Sequence, residues 1–217
     1  MIRFENLSKS FWVRGREKVV IDHLDMTLPR GKSIALLGRN GAGKSTLLSI
    51  IAGAMPPDTG RVVHDGTMSW PVGLGGTFHP QMTGAQNVRF VARVYGVDAE
   101  SLMHFVREFS ELGAQFENPV KTYSSGMRAR LGFGLSMGIQ FDTYLIDETT
   151  AVGDARFTRK SRAVFLERMK NASAIMVSHQ IKTVRQFCNC GLLLHDGKLT
   201  YFEDVEEAIE RHLELNG

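Results

Sequence analysis

Little in this chain is extreme, and each absence removes a class of function. Cysteine is scarce: the 217 residues hold only Cys188 and Cys190. That pair is too close together to form a metal site unaided, and it suits a reducing compartment as buried thiols. No uncharged run of about 18 apolar residues occurs, so no segment is expected to cross a bilayer. Met1-Ile2-Arg3-Phe4-Glu5-Asn6 has no apolar core, so no signal peptide is expected. Neither sign of charge dominates. The 26 basic and 23 acidic residues leave a formal charge of +3, too mild to argue for nucleic acid and compatible with a modest pull toward an anionic membrane surface. Repeats, low-complexity tracts and Gly/Ser linkers are absent. What remains, 43% hydrophobic and 23% charged, is an ordinary globular composition for one α/β domain, with room for a small appended subdomain.

Against this plain background stands Gly38-Arg39-Asn40-Gly41-Ala42-Gly43-Lys44-Ser45-Thr46. It follows the apolar run Ile34-Ala35-Leu36-Leu37, of buried-strand length, and precedes Leu47-Leu48-Ser49-Ile50-Ile51-Ala52, which reads as a helix. Strand, glycine loop and helix form the setting that a phosphate loop requires. Glycines let backbone N–H groups turn inward around a phosphate, and the first helical turn adds unpaired N–H groups and a positive dipole end. Lys44 is expected to meet the β- and γ-phosphates, and the Ser45 hydroxyl to ligate Mg²⁺. A nucleoside triphosphate is the expected ligand.

Upstream, the first thirty residues read as strands, and Leu24, Met26 and Leu28 alternate with polar neighbours. Phe11 and Trp12 are aromatics in a polar stretch, either of which can stack on an adenine ring or pack on a sheet. Downstream, Gly53 is read as a helix cap, and Pro56 to Gly60 as a turn into a strand over Arg61 to His64. The stretch from Trp70 to Pro80 is rich in glycine and proline and is expected to be irregular. Two amphipathic helices follow, one burying Val88, Val91, Val94 and Tyr95, the next Leu102, Phe105, Val106 and Phe109. A helical subdomain inserted over about 76–140 is expected. Buried strands then recur at Tyr144 to Ile146 and Ala174 to Val177, joined by a crossover helix over Arg156 to Met169. After the Asp196-Gly197 turn, a terminal helix is expected to turn Val205, Ala208, Ile209 and Leu213 inward.

Ligands of open α/β sheets sit at the carboxyl ends of strands, which puts Asp147, Glu148 and His179 beside the phosphate loop. Asp147 is placed to hold Mg²⁺, Glu148 to take a proton from an attacking water, and His179 to reach the γ-phosphate. Tyr123-Ser124-Ser125-Gly126-Met127 opens a helix that runs to about Met137, a second anion-binding N-terminus in the same chain. One triphosphate does not need both. Two copies facing head to tail would use them, each closing the other's nucleotide.

With these motifs in order, the chain resembles the ATP-binding subunit of an ABC transporter over essentially its full length. The resemblance implies a P-loop NTPase core with a parallel sheet, an N-terminal antiparallel β subdomain and an inserted helical subdomain. Within it, Ser124, Ser125 and Gly126 occupy the place of the family's signature. Asp147 and Glu148 are the Mg²⁺ aspartate and catalytic glutamate, Ala151 to Asp154 form the loop at the dimer seam, His179 is the switch histidine, and Phe11 or Trp12 stacks on adenine. Ser69-Trp70-Pro71, Leu131 to Met137 and Ala151 to Phe157 resemble the branch that exports capsular polysaccharide. That branch implies a bacterial inner-membrane location on the cytoplasmic face, a membrane-spanning permease partner and indirect contact with the polysaccharide. Its O-antigen relatives often carry a C-terminal carbohydrate-binding domain, for which a chain ending at Gly217 leaves no room. One departure is informative. Near Gly73 and Leu74 there is none of the family's glutamine, and Gln81 lies too far along, so hydrolysis is expected to lean on Glu148 and His179. Coupling to the permease is expected through the groove beside Trp70 to Phe78 and the helical subdomain, with Phe78 and Phe90 as the positions that test it. The rival classes are a soluble ABC-type ATPase acting on DNA or ribosomes, a nucleotide-dependent regulator with little turnover, and a plain P-loop kinase.

Overall fold

The computed structural model describes residues 1–72, 78–147 and 155–215. Backbone contacts divide the chain into two units, one of Met1–Pro71, Phe141–Glu148 and Asn171–Gly217, the other of Val72–Gln140 and Thr149–Lys170.

The first unit holds both sheets. Strands β1 (Ile2–Val13), β2 (Arg16–Leu28) and β4 (Thr59–His64) form an antiparallel sheet in the order β2-β1-β4. The β1–β2 hairpin turns at Arg14 and Gly15 with φ of 51° and 75°, the paired positive angles of a type I′ turn, whose twist matches that of the strands. The register of this hairpin decides what each side chain faces. Phe11 pairs with Lys18 and Val13 with Arg16, while Trp12 pairs with Glu17. Because neighbours along a strand point to opposite faces, Phe11, Val13, Lys18 and Val20 share one face and Trp12 takes the other.

The larger sheet runs β5-β6-β7-β3-β8-β9, with β3 (Ser33–Leu37), β5 (Met68–Val72), β6 (Thr143–Asp147), β7 (Ser173–Val177), β8 (Cys190–His195) and β9 (Lys198–Phe202). Strands β6, β7, β3 and β8 are parallel, and β9 closes the far edge antiparallel to β8. Their apolar runs are buried almost without interruption, as strands covered on both faces must be. Leu36, Leu145, Leu192 and Leu194 are fully buried with Leu47 of α1 (Lys44–Ile51). Gly53, with φ of 70°, follows the C-cap Ala52.

The expectation of an irregular Trp70 to Pro80 is corrected at its start: Trp70, Pro71 and Val72 belong to β5. Proline lacks the N–H of a ladder bond and is tolerated in an edge strand, the place β5 holds. Ser69 knits the edge by accepting from the Leu145 N–H at 2.9 Å. Trp70 stands edge-on to Phe141 at 5.6 Å. Gly73 and Leu74, where the glutamine was sought, lie outside the described residues.

The second unit contains α2 (Gly84–Tyr95), α3 (Ala99–Ser110), α4 (Ser125–Gly138) and α5 (Ala155–Met169). It therefore begins at Val72 and takes in α5 as well as the segment 76–140. Thr83 and Gln86 close a capping box on α2, and Asp98 caps α3. Helices α3 and α4 approach closely at Gly138, where a Cβ would collide with Leu102. Phe109 joins the helices, lying over Phe133 at 5.8 Å and meeting Phe157 edge-on at 5.3 Å.

Two expected inward faces are corrected. In α2 the buried apolar side chains are Ala85, Val88 and Ala92, whereas Phe90, Val94 and Tyr95 are 57%, 62% and 40% exposed. Apolar residues occupy two faces of this helix, and the smaller set faces its neighbours. In α7 (Val205–Glu214), which follows α6 (Ile181–Phe187) and the last two strands in the chain, Val205, Ala208 and Ile209 are buried, whereas Leu213, in the last turn, is exposed. Phe78 is buried against the Gly132 region of α4 rather than presented outward.

Candidate active site

The phosphate loop lies where β3 gives way to α1, in a cavity of about 570 Å³ within the first unit. That volume falls in the range of small-molecule sites, about 300–1,000 Å³. Its floor is Asn40, Gly41, Gly43, Lys44, Ser45 and Thr46. The Lys44 amine is buried over the loop's own carbonyls, donating to Gly38 O at 2.8 Å and Arg39 O at 3.1 Å. Ala42 N–H closes the turn onto Arg39 O at 3.1 Å. Gly43, the N-cap of α1, has φ of 110°, and a Cβ there would enter the Val20 side chain. Only glycine serves at that position, on both backbone and space grounds.

One wall is the hairpin face carrying Phe11, Val13, Lys18 and Val20. Phe11 is half-buried, with the Lys9 ammonium 5.3 Å from its ring centroid. The alternative Trp12 is corrected as a lining residue: it is 74% exposed and faces the other way, for the register reason above. Lys18 donates to Gly41 O at 2.6 Å and so ties the hairpin to the loop. The opposite wall is built from strand ends. Asp147 ends β6 and pairs with Val177 at the end of β7; both line the cavity, and His179 joins them two residues on. His212 of α7 belongs to the same neighbourhood, its imidazole held below its usual pKa by burial and then by the charges of Lys44 and His179.

The turn at Ser124, expected from the sequence to bind an anion, belongs to the other unit. Ser124 caps α4, its Oγ accepting from the Met127 N–H at 3.2 Å, which leaves the hydroxyl hydrogen to donate. Ser125 is exposed, and a Cβ at Gly126 would meet only Ser124 Oγ, at 3.9 Å, so the backbone there is open to approach. The turn is anchored from below. Tyr123 is buried, its hydroxyl donates to Gln115 O at 2.7 Å, and its carbonyl accepts from Arg128. Glu148, the loop Ala151 to Gly153 and Asp154 lie outside the described residues.

Sequence reasoning did not pick out Lys18, Val20 or His212. The Arg14-Gly15 dipeptide was the signal for the first two, because a tight turn there sets Lys18 opposite Phe11. His212 carries no comparable local signature.

A cradle of loop N–H groups joined to a strand-end carboxylate and histidine defines a P-loop nucleotide-binding protein. Comparison with known proteins narrows the class: the ABC transporter family profile matches residues 21–151. The chain is 48% identical to the polysialic acid transport ATP-binding protein KpsT of Escherichia coli, over 98% of this chain and 96% of that protein. It is 43% identical to the capsule polysaccharide export ATP-binding protein CtrD of Neisseria meningitidis serogroup B, over 99% of this chain and 100% of the other. Among solved structures, an ATP binding subunit of an ABC transporter superposes with a TM-score of 0.81 at 21% identity, covering 100% of this chain and 95% of its own. The chain belongs to the ABC transporter family.

Proposed function

We propose that this chain is the ATP-hydrolysing subunit of an ABC exporter that moves capsular polysaccharide or a related cell-surface glycan through a separate membrane-spanning permease. The carrying observation is the near-full-length likeness to polysialic acid and capsule export proteins. The cavity around Lys44 supports it with a site of nucleotide size. Residues 1–217 act as one ATP-binding cassette, with the helical segment about 76–140 inside it. The chain works at the cytoplasmic face of the bacterial inner membrane. Among the described residues no helix is long and apolar enough to cross a membrane, and the proposal gives that task to the permease. Contact with the polysaccharide is indirect, and nucleic acid has no role.

In this reading adenine stacks on Phe11, and the phosphates take the N–H groups of Gly41 to Thr46. Lys44 exchanges the carbonyls of Gly38 and Arg39 for the β- and γ-phosphate oxygens. The Ser45 hydroxyl and Asp147 carboxylate line the same cavity. They are the hard oxygen donors that Mg²⁺ accepts beside phosphate oxygens and water, and the ion supplies neutralising charge. Glu148 takes the proton of a water whose oxygen attacks the γ-phosphorus as the bond to the β–γ bridging oxygen breaks and ADP leaves. His179 holds the γ-phosphate oxygens. Two copies pair head to tail, with Ser124, Ser125 and the Gly126 N–H of one reaching the γ-phosphate on the other, and Asp154 at the seam.

Deletion of the gene tests this. A lipid-linked surface glycan should accumulate inside the cell, and export should return with the wild-type chain but not with Lys44→Ala. Normal surface glycan in the deletion strain would refute the assignment.

A further inference from the structure

The β1–β2 hairpin walls the nucleotide cavity with one face, and its other face carries an apolar pair in the open. Trp12 is 74% exposed and Val19 48%. The register sets Ser10 opposite Val19 and Trp12 opposite Glu17, so indole and valine are diagonal neighbours on the side away from the phosphate loop. Among the described residues no ring, cation or hydrogen bond covers the indole. Single apolar residues scattered on a surface carry no message. This pair is joined by charge.

Arg14 sits in the turn itself with φ of 51°, where asparagine, aspartate or glycine is the ordinary choice, and Arg16 follows Gly15. Both are exposed, and neither has an ion-pair or hydrogen-bond partner among the described residues. Lys18, bonded to Gly41 O, adds a third positive charge to this end of the hairpin, against the single carboxylate of Glu17. The other acidic groups lie further back. Asp22 is six residues from Arg16, roughly 20 Å along the strand, and is 2.6 Å from His23 Nδ1. Asp196 belongs to the β8–β9 turn, where Lys198 offsets its charge and Gly197 packs beside Val19.

A tight turn is convex and offers no pocket, so its occupant must be broad and need no matching cleft. A protein would have to set carboxylates in register with a twisted tip, whereas an anionic lipid surface presents phosphates at every position. Guanidinium groups take phosphate oxygens with forked hydrogen bonds, and an indole settles in the headgroup zone between water and hydrocarbon. We propose that the Trp12–Arg16 end of the hairpin is a foot that rests on an anionic phospholipid surface, with the indole among the headgroups and Arg14 and Arg16 on phosphates. This goes beyond the transport reading and does not depend on it.

Vesicles test it with the whole purified chain and no permease. Co-sedimentation should be strong when the vesicle contains phosphatidylglycerol, weak with phosphatidylcholine alone, and should fall as salt is raised. Arg14→Gln together with Arg16→Gln should weaken binding to the anionic vesicle roughly ten- to thirtyfold. Trp12→Ala should weaken it severalfold while the far-ultraviolet circular dichroism stays the same. The chain has two tryptophans, so with Trp70→Phe in place the remaining emission is that of Trp12. It should move to shorter wavelength on anionic vesicles and be quenched by brominated lipid. Should Trp70→Phe fold poorly, loss of the vesicle-induced shift in Trp12→Ala reads the same contact. Equal binding to both vesicle types, or binding indifferent to all three hairpin substitutions, would overturn the proposal. So would an indole that stays open to acrylamide on anionic vesicles and becomes shielded only when the permease is added, since the occupant would then be a protein.

Discussion

In the function proposed above Lys44 and Phe11 divide the work of holding a nucleotide, and each makes a separable prediction. The Lys44 amine already sits in a carbonyl cage at the cavity floor, so little rearrangement is needed to meet phosphate oxygens. Lys44→Ala should weaken ATP binding and lower turnover by roughly a hundredfold or more, by analogy with the loss of a preorganised charge donor. Stopped-flow binding and phosphate release measure the two effects. Phe11→Ala should cost about 1–3 kcal/mol of base stacking, whereas Trp12→Ala should leave nucleotide affinity unchanged because Trp12 faces away. Equal losses for both aromatics in a fluorescent-nucleotide titration would contradict the hairpin register. At this scale the phosphate loop was fully legible, since a local run of N–H groups is written in adjacent residues. The choice of Phe11 over Trp12 was not, because strand parity follows from a turn that only the paired register reveals.

The helices and strands carry two further expectations. On α2 we propose the outward row Phe90, Val94 and Tyr95, in place of buried Phe78, as the surface offered to a permease. Phe90→Asp should abolish glycan export in cells while ATP turnover of the isolated chain persists; intact export would remove α2 from the coupling path. The small sheet is held by Asp58, which accepts from Lys9 Nζ and from the Ser10 N–H, both at 2.7 Å. The Lys9 bond, then that N–H, holds its carboxyl below the usual range. A depressed folded-state pKa stabilises the fold above the unfolded value, about 3.9, and that contribution disappears as the pH falls through the folded value. Acid unfolding followed by circular dichroism should therefore begin at higher pH in Asp58→Asn, which lacks this contribution above about pH 4, and should show a shallower dependence below that pH. An identical acid profile would show that Asp58 does not contribute. Helical periodicity marked α2 correctly and misjudged its inner face, because two apolar rows compete on one short helix. Pro71 read as a breaker for want of knowing that its strand is an edge.

At the scale of the molecule, the fold gathers phosphate loop, Asp147 and His179 into one cavity, while the Ser124 turn, proposed to meet an anion, belongs to the other unit and has its own anchors. The order of motifs along the chain was enough to name the family, since each marks a strand end or a helix start whose neighbours are local. Contacts between distant segments were illegible, among them Lys18 on Gly41 O and Glu111 between Lys160 and Arg130. The account therefore depends on whether one copy's Ser124 turn completes another copy's site. Analytical ultracentrifugation of Glu148→Gln with ATP and Mg²⁺, with and without Ser124→Arg, tests this most directly. The account predicts a two-copy particle holding two nucleotides, reverting to single copies when Ser124 is replaced. A particle that stays single with nucleotide bound, or a dimer indifferent to Ser124→Arg, would contradict it.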